Sequence, residues 1–139
     1  MKVLTTEQIR KADQYTISHE PVLSLDLMER AAFGLAGAIE ELADPLRNIK
    51  IFAGSGNNGG DGIALARILA GRDLNIDLYV VSPEKSWSPD AKANLERLPD
   101  LENLLVIFLQ PGALLPEIDP DDLVIDALFG SGLSREPAG

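Results

Sequence analysis

Apolar and polar positions fall in blocks whose period changes along the chain. Thr5 and Gln8 have capping-box spacing and open a largely polar helix running to about Ser18. His19-Glu20-Pro21 breaks it, because proline disfavours helix at the residue before it. Ser24 caps a second helix in which Leu25, Met28, Ala32, Leu35, Ile39 and Leu42 recur at three- and four-residue spacing, and Asp44-Pro45 ends it. Four short apolar runs follow: Ile49–Ala53, Ile76–Val81, Leu105–Leu109 and Leu123–Ala127. Their near-continuous apolar character predicts buried strands.

Between the first two strands the pattern predicts a helix from about Gly62 to Ala70, with Gly71 at its C′ position. Between the second and third, Ser88-Pro89-Asp90 starts another, with Ala91, Leu95 and Leu98 facing inward. Pro111–Pro120 reads as a loop with a helical turn at Ala113-Leu114-Leu115. Strands alternating with helices imply an α/β fold, doubly wound around a parallel sheet and preceded by two N-terminal helices. The chain stops at Gly139 inside a glycine-bearing loop, which reads as truncation on the C-terminal side.

Composition narrows the chemistry. The 139 residues suit one domain, and 45% hydrophobic content supplies a core. Cysteine is absent and histidine single, which removes disulfides and the usual zinc constellations. A net charge of −10 argues against DNA or an anionic membrane as a broad-surface partner. Neither a signal-peptide core nor a membrane-length apolar run is present, and a soluble cytoplasmic protein is the expectation.

The candidate chemistry lies after the first and fourth strands. Gly54-Ser55-Gly56-Asn57-Asn58-Gly59-Gly60-Asp61-Gly62 holds five glycines in nine positions between a strand and a helix. Backbone N–H groups converge at such a helix start. Gly54-x-Gly56-x-x-Gly59 matches the dinucleotide fingerprint, but Ser82-Pro83-Glu84 lies where the acid is expected after the next strand, and Glu84 beside a proline is a poor candidate for it. No Gly-Lys-Ser/Thr follows, so a Walker loop is excluded. Asp61 reads as an N-cap or a ligand contact. With no basic residue in the loop, hydroxyl, amide or sugar groups suit it at least as well as a bare phosphate.

Asp126 ends the fourth strand, where a buried carboxylate must be paired, cap its own loop or hold a cation. Its oxygens, with an Asn side chain and turn carbonyls, suit an alkali or alkaline-earth ion. Ligands gather beyond the carboxyl ends of parallel strands, so the two loops are expected on one edge of the sheet. Trp87, before a helix cap, reads as a packing residue.

The two motifs together, GSGNNGGDG and Asp126-Ala127-Leu128-Phe129-Gly130-Ser131-Gly132-Leu133-Ser134-Arg135, resemble the YjeF N-terminal family of NAD(P)H-hydrate epimerases. Asp13-Gln14-Tyr15-Thr16-Ile17 and Leu27-Met28-Glu29-Arg30-Ala31-Ala32 are similar to that family's opening. The resemblance covers residues 1–139 as one incomplete domain, with 1–45 its helical pair. It implies a Rossmann-like three-layer sandwich and interconversion of the R and S epimers of NADHX and NADPHX, nicotinamide nucleotides damaged by hydration.

It further implies substrate contacts from Asn57, Asn58, Gly59, Gly60 and Asp61, and from Gly130, Ser131, Gly132, Leu133, Ser134, Arg135 and Glu136. A potassium ion is implied on Asn58 and Asp126. The catalytic aspartate of an S-x-D-x-P-S-G segment is expected downstream of Gly139, so no catalytic residue is assigned in this chain. Implied partners are the dinucleotide substrate, a linked or fused NAD(P)HX dehydratase and a second copy in a homodimer. A non-enzymatic dinucleotide- or partner-binding module is the alternative, and a generic dinucleotide oxidoreductase rests on the fingerprint alone.

Overall fold

A computed structural model describes residues 4–19, 23–44, 46–81 and 86–130. Helix α1 spans Thr6–His19 and α2 Ser24–Leu42. Then come β1 (Asn48–Ala53), α3 (Asn57–Ala70), β2 (Asn75–Val81), α4 (Pro89–Glu96), β3 (Leu104–Leu109) and β4 (Leu123–Ala127). The strands form one parallel sheet in the order β3-β2-β1-β4. The α/β class and all four expected strands are present.

The capping box forms as the spacing predicts. The Thr5 N–H donates to Gln8 Oε1 at 2.8 Å, and the Gln8 N–H to Thr5 Oγ1 at 3.3 Å. Ser24 does not cap α2: Leu23 occupies the N-cap position, and Ser24 is the first helical residue. The buried stripe of α2 is Met28, Ala32, Ala36 and Ile39, while Leu35 and Leu42 are exposed. Small Ala32 and Ala36 let α2 lie close on α3, and larger Leu35 turns aside. Bridges Arg67–Glu29 and Arg72–Glu40 flank that contact.

Helix α3 is the centre of the molecule. It touches all four strands as well as α2 and α4, and ten of its fourteen residues are buried. Ile63, Leu65 and Leu69 share one core cluster with Ile49, Ile51, Ile76, Leu78 and Val80, all fully buried. Each such side chain contributes about 1.5–3 kcal/mol of transfer free energy. Gly71 is the C-cap but keeps a right-handed φ of −66°; the left-handed residue is Asp73, at φ 62°. Asn103 holds this end, its Nδ2 donating to the Ala70 and Leu74 carbonyls at 2.8 Å each. Leu98 lies beyond α4 yet still packs on the core, with Leu95.

Of the three expected layers, the described residues supply the sheet and one helical layer. Right-handed crossovers place α3 and α4 on the same face. The return from β3 to β4 runs the other way, which sends residues 110–122 across the opposite face. That segment has no helical turn at Ala113-Leu114-Leu115. A type II turn precedes it, with the Ala113 N–H on the Gln110 carbonyl at 3.0 Å and Gly112 at φ 80°. On the opposite face Lys50 is nearly buried and pairs with Asp122, and Phe52 stacks on Tyr79 with centroids 4.9 Å apart. No described helix is long and apolar enough to cross a membrane.

Candidate functional site

Strand order reverses between β1 and β4: the chain leaves β1 toward β2 and later returns to β1's other side. In open parallel sheets ligands gather at such a switch point, beyond the carboxyl ends of the strands. The loop after β1 is the glycine stretch, and the loop after β4 begins at Leu128. The glycine stretch and the described part of the second motif, Asp126–Gly130, therefore meet at one place.

The helix begins five residues earlier than propensity suggests. Asn57, not Gly62, is its first residue, and Gly56 is an extended N-cap without a side-chain bond. Asp61 is therefore not the N-cap; it is the fifth helical residue. The first hydrogen bond across this end runs from the Gly60 N–H to the Gly56 carbonyl at 3.0 Å. The N–H groups of Asn57, Asn58 and Gly59 lack helical partners by geometry, and the helix dipole adds positive potential there.

Close approach explains most of the glycines. A Cβ on Gly54 would overlap the Leu128 carbonyl, and one on Gly59 the Gly54 carbonyl. One on Gly62 would stand 2.6 Å from the Ala127 Cβ, and one on Gly60 3.1 Å from the Ala91 Cα. Gly56 differs, with nothing within 4 Å of a Cβ. These glycines seat α3 directly on β1, β4 and α4. The Gly54 N–H also donates to the Ala127 carbonyl at 3.1 Å.

Asn58 joins the two motifs. Its Nδ2 donates to the Phe129 carbonyl at 3.1 Å, and Gly130 packs so closely that a Cβ there would lie 3.1 Å from the Asn58 Cβ. Asp126 is exposed, which corrects the expectation of a buried carboxylate, because β4 is an edge strand among the described residues. In register with Phe52, it lies on the sheet face away from α3 and caps its own loop, Oδ1 accepting the Leu128 N–H at 2.9 Å. Ser131, Gly132, Leu133, Ser134, Arg135 and Glu136 lie outside the described residues, as does Glu84.

Burial pushes the half-buried Asp61 carboxyl up to about 6, with repulsion from Asp13 of α1 and Asp90 of α4 adding to it. Nothing in the spacing of three acids on three separate elements announces that convergence. Trp87 is half-buried and packs against the core, as expected of it.

A family model described as YjeF-related protein N-terminus matches residues 24–139. The chain belongs to this family. Relatives of the YjeF-related chain include an NAD(P)H-hydrate epimerase of Rhodobacter capsulatus, 36% identical over 99% of this chain and 66% of the relative. Another, from Weissella koreensis, is 39% identical over 95% of this chain and 57% of the relative. A crystal structure of the yeast protein ynu0 superposes on the YjeF-related fold with a TM-score of 0.79 at 23% identity, over 99% of this chain and 60% of that one. The chain thus spans about three fifths of the length of these relatives.

Proposed function

We propose that this chain carries the dinucleotide-binding part of an NAD(P)H-hydrate epimerase, an isomerase that interconverts the R and S forms of NADHX and NADPHX. The observation that carries the reading is the Asn58–Phe129 bond, which fastens the open end of α3 to the loop after β4 at the switch point. The N–H groups of Asn57, Asn58 and Gly59 suit ribose hydroxyls, an amide or a phosphate oxygen, with Gly60 and Gly62 giving the ligand-bearing turn its close seat. Asp61 suits a hydroxyl or amide of the substrate. Gly130, Ser131, Gly132, Leu133, Ser134, Arg135 and Glu136 are proposed as the facing wall, with no catalytic residue assigned among them.

A potassium ion is part of the proposal. Asn58, with its nitrogen turned to the Phe129 carbonyl, and the Asp126 carboxylate flank one short segment and offer hard oxygens. Bound there, potassium would supply a diffuse positive charge beside the substrate. A dehydratase, fused or separate, and a second copy of the chain are the proposed partners.

Calorimetric titration with NADHX tests the reading. The unaltered chain is expected to bind, and Asp61→Ala to weaken binding about tenfold, or 1.4 kcal/mol. Unchanged affinity in Asp61→Ala would show that the ligand lies elsewhere.

A further inference from the structure

The N-terminus of α4 is tied to the glycine loop through a residue that neither motif contains. The Ser88 N–H donates to the Ser55 carbonyl at 2.8 Å. The Ser88 side chain meanwhile caps α4, with Oγ accepting the Ala91 N–H at 3.1 Å, and its carbonyl accepts the Lys92 N–H at 3.0 Å. Pro89 at the first helical position fixes the next φ. Ser88 is thus held from three sides at φ −64° and ψ 147°, and its N–H has one fixed direction.

The other end of that bond matters to ligand binding. Ser55 lies between Gly54, pressed against Leu128, and Gly56, the uncapped N-cap of α3. Gly56 has no neighbour within 4 Å of a Cβ, and its carbonyl accepts the Gly60 N–H at 3.0 Å. The two helix starts also abut where Gly60 meets Ala91. The loop is anchored at Gly54 and Asn58 to the β4 side, and the Ser55 carbonyl is its anchor on the α4 side, so the cap of α4 sets part of its geometry.

We propose that Ser88 is a positioning residue for the ligand loop, and that its N–H, by clamping the Ser55 carbonyl, keeps the Asn57, Asn58 and Gly59 N–H groups aimed at the substrate. The role rests on the reading of α3's N-terminus as the dinucleotide site. Ser88 touches no substrate; it acts through Ser55 and Gly56.

Two substitutions separate the clamp from the cap. Ser88→Ala removes the cap and keeps the N–H. Ser88→Pro removes both: a φ of −64° suits proline, but its ring stands where the N–H met the Ser55 carbonyl and so forces the clamp open. Both variants lose the same capping bond, worth ~1 kcal/mol. The clamp requires Ser88→Pro to bind NADHX about tenfold or more weakly than Ser88→Ala at a temperature where both variants are folded. It also requires the Gly60 amide to exchange faster in Ser88→Pro alone, and the Ser88 amide of the unaltered protein to exchange slowly.

Equal affinities for the two variants would overturn the role. So would fast exchange at Ser88 in the unaltered chain, a result that stands even if Ser88→Pro fails to fold. If the unaltered chain binds no NADHX, the substrate reading falls, and the exchange pattern of Gly60 and Ser88 still decides whether the clamp exists.

Discussion

The Asn58 side chain donates to the Phe129 carbonyl at 3.1 Å, so the first turn of α3 and the loop after β4 are a single unit. Asn58→Asp replaces the donor with an acceptor facing a carbonyl. The bond is solvent-exposed, so the expected loss is about 1 kcal/mol. Amide exchange at Phe129 and Gly130 should rise more than elsewhere, and a uniform rise across the sheet would contradict the local role.

Glycines in one motif should differ sharply in tolerance. Gly62→Ala forces a methyl to within 2.6 Å of the Ala127 Cβ and is expected to cost about 1–3 kcal/mol by overpacking. Gly59→Ala should cost more, since its methyl meets the rigid Gly54 backbone. Gly56→Ala, in open space, should change stability by no more than about 1 kcal/mol. Urea denaturation of the three variants checks the order.

Asp61 links stability to pH. Its carboxyl titrates near 6 in the folded chain, above the ordinary value of 3.8. Between those values the folded state binds more protons than the unfolded one, so stability contributed by this group is full below 3.8 and is lost as pH rises through 6. Asp61→Asn should flatten that fall and raise the melting temperature at pH 7, while weakening the NADHX binding proposed for this site. Melting curves at pH 4 to 7 test it; an unchanged slope would mean that Asp61 ionises normally.

Lys50 and Asp122 form a pair on the face of the sheet opposite α3, each side chain only 8% exposed. Hydrogen bonding to Asp122 raises the Lys50 pKa, and the same bond lowers that of Asp122. Lys50→Met leaves Asp77 and Asp122 without their cation and is expected to lower the melting temperature. Lys50→Met with Asp122→Leu should recover most of the loss, because an uncompensated charge is worse than an apolar pair. Additive losses in the double variant would exclude coupling.

Strand positions, the capping box and the meeting of the two motifs were legible from periodicity and spacing. The start of α3 was not, because Asn57, Asn58, Gly59 and Gly60 are poor helix formers that tertiary packing holds helical. Their reason lies in Gly54 against Leu128 and Gly62 against Ala127, contacts knowable only once β4 is known to lie beside β1. Strand order also decided Asp126, read as buried from its apolar flanks and found at an edge. Ala36 displaced Leu35 from the α2 stripe because the α2–α3 contact favours small residues.

The seating of α3 on glycine has a consequence for genetics. A screen scoring only lost activity would place Gly54, Gly59 and Gly62 beside Asn58 and Asp61 as equals. The glycine variants would fail through missing folded protein, and the other two, on the proposed function, through protein that accumulates but does not bind. Dividing activity by abundance in such a screen would split this continuous motif into scaffold letters and ligand letters.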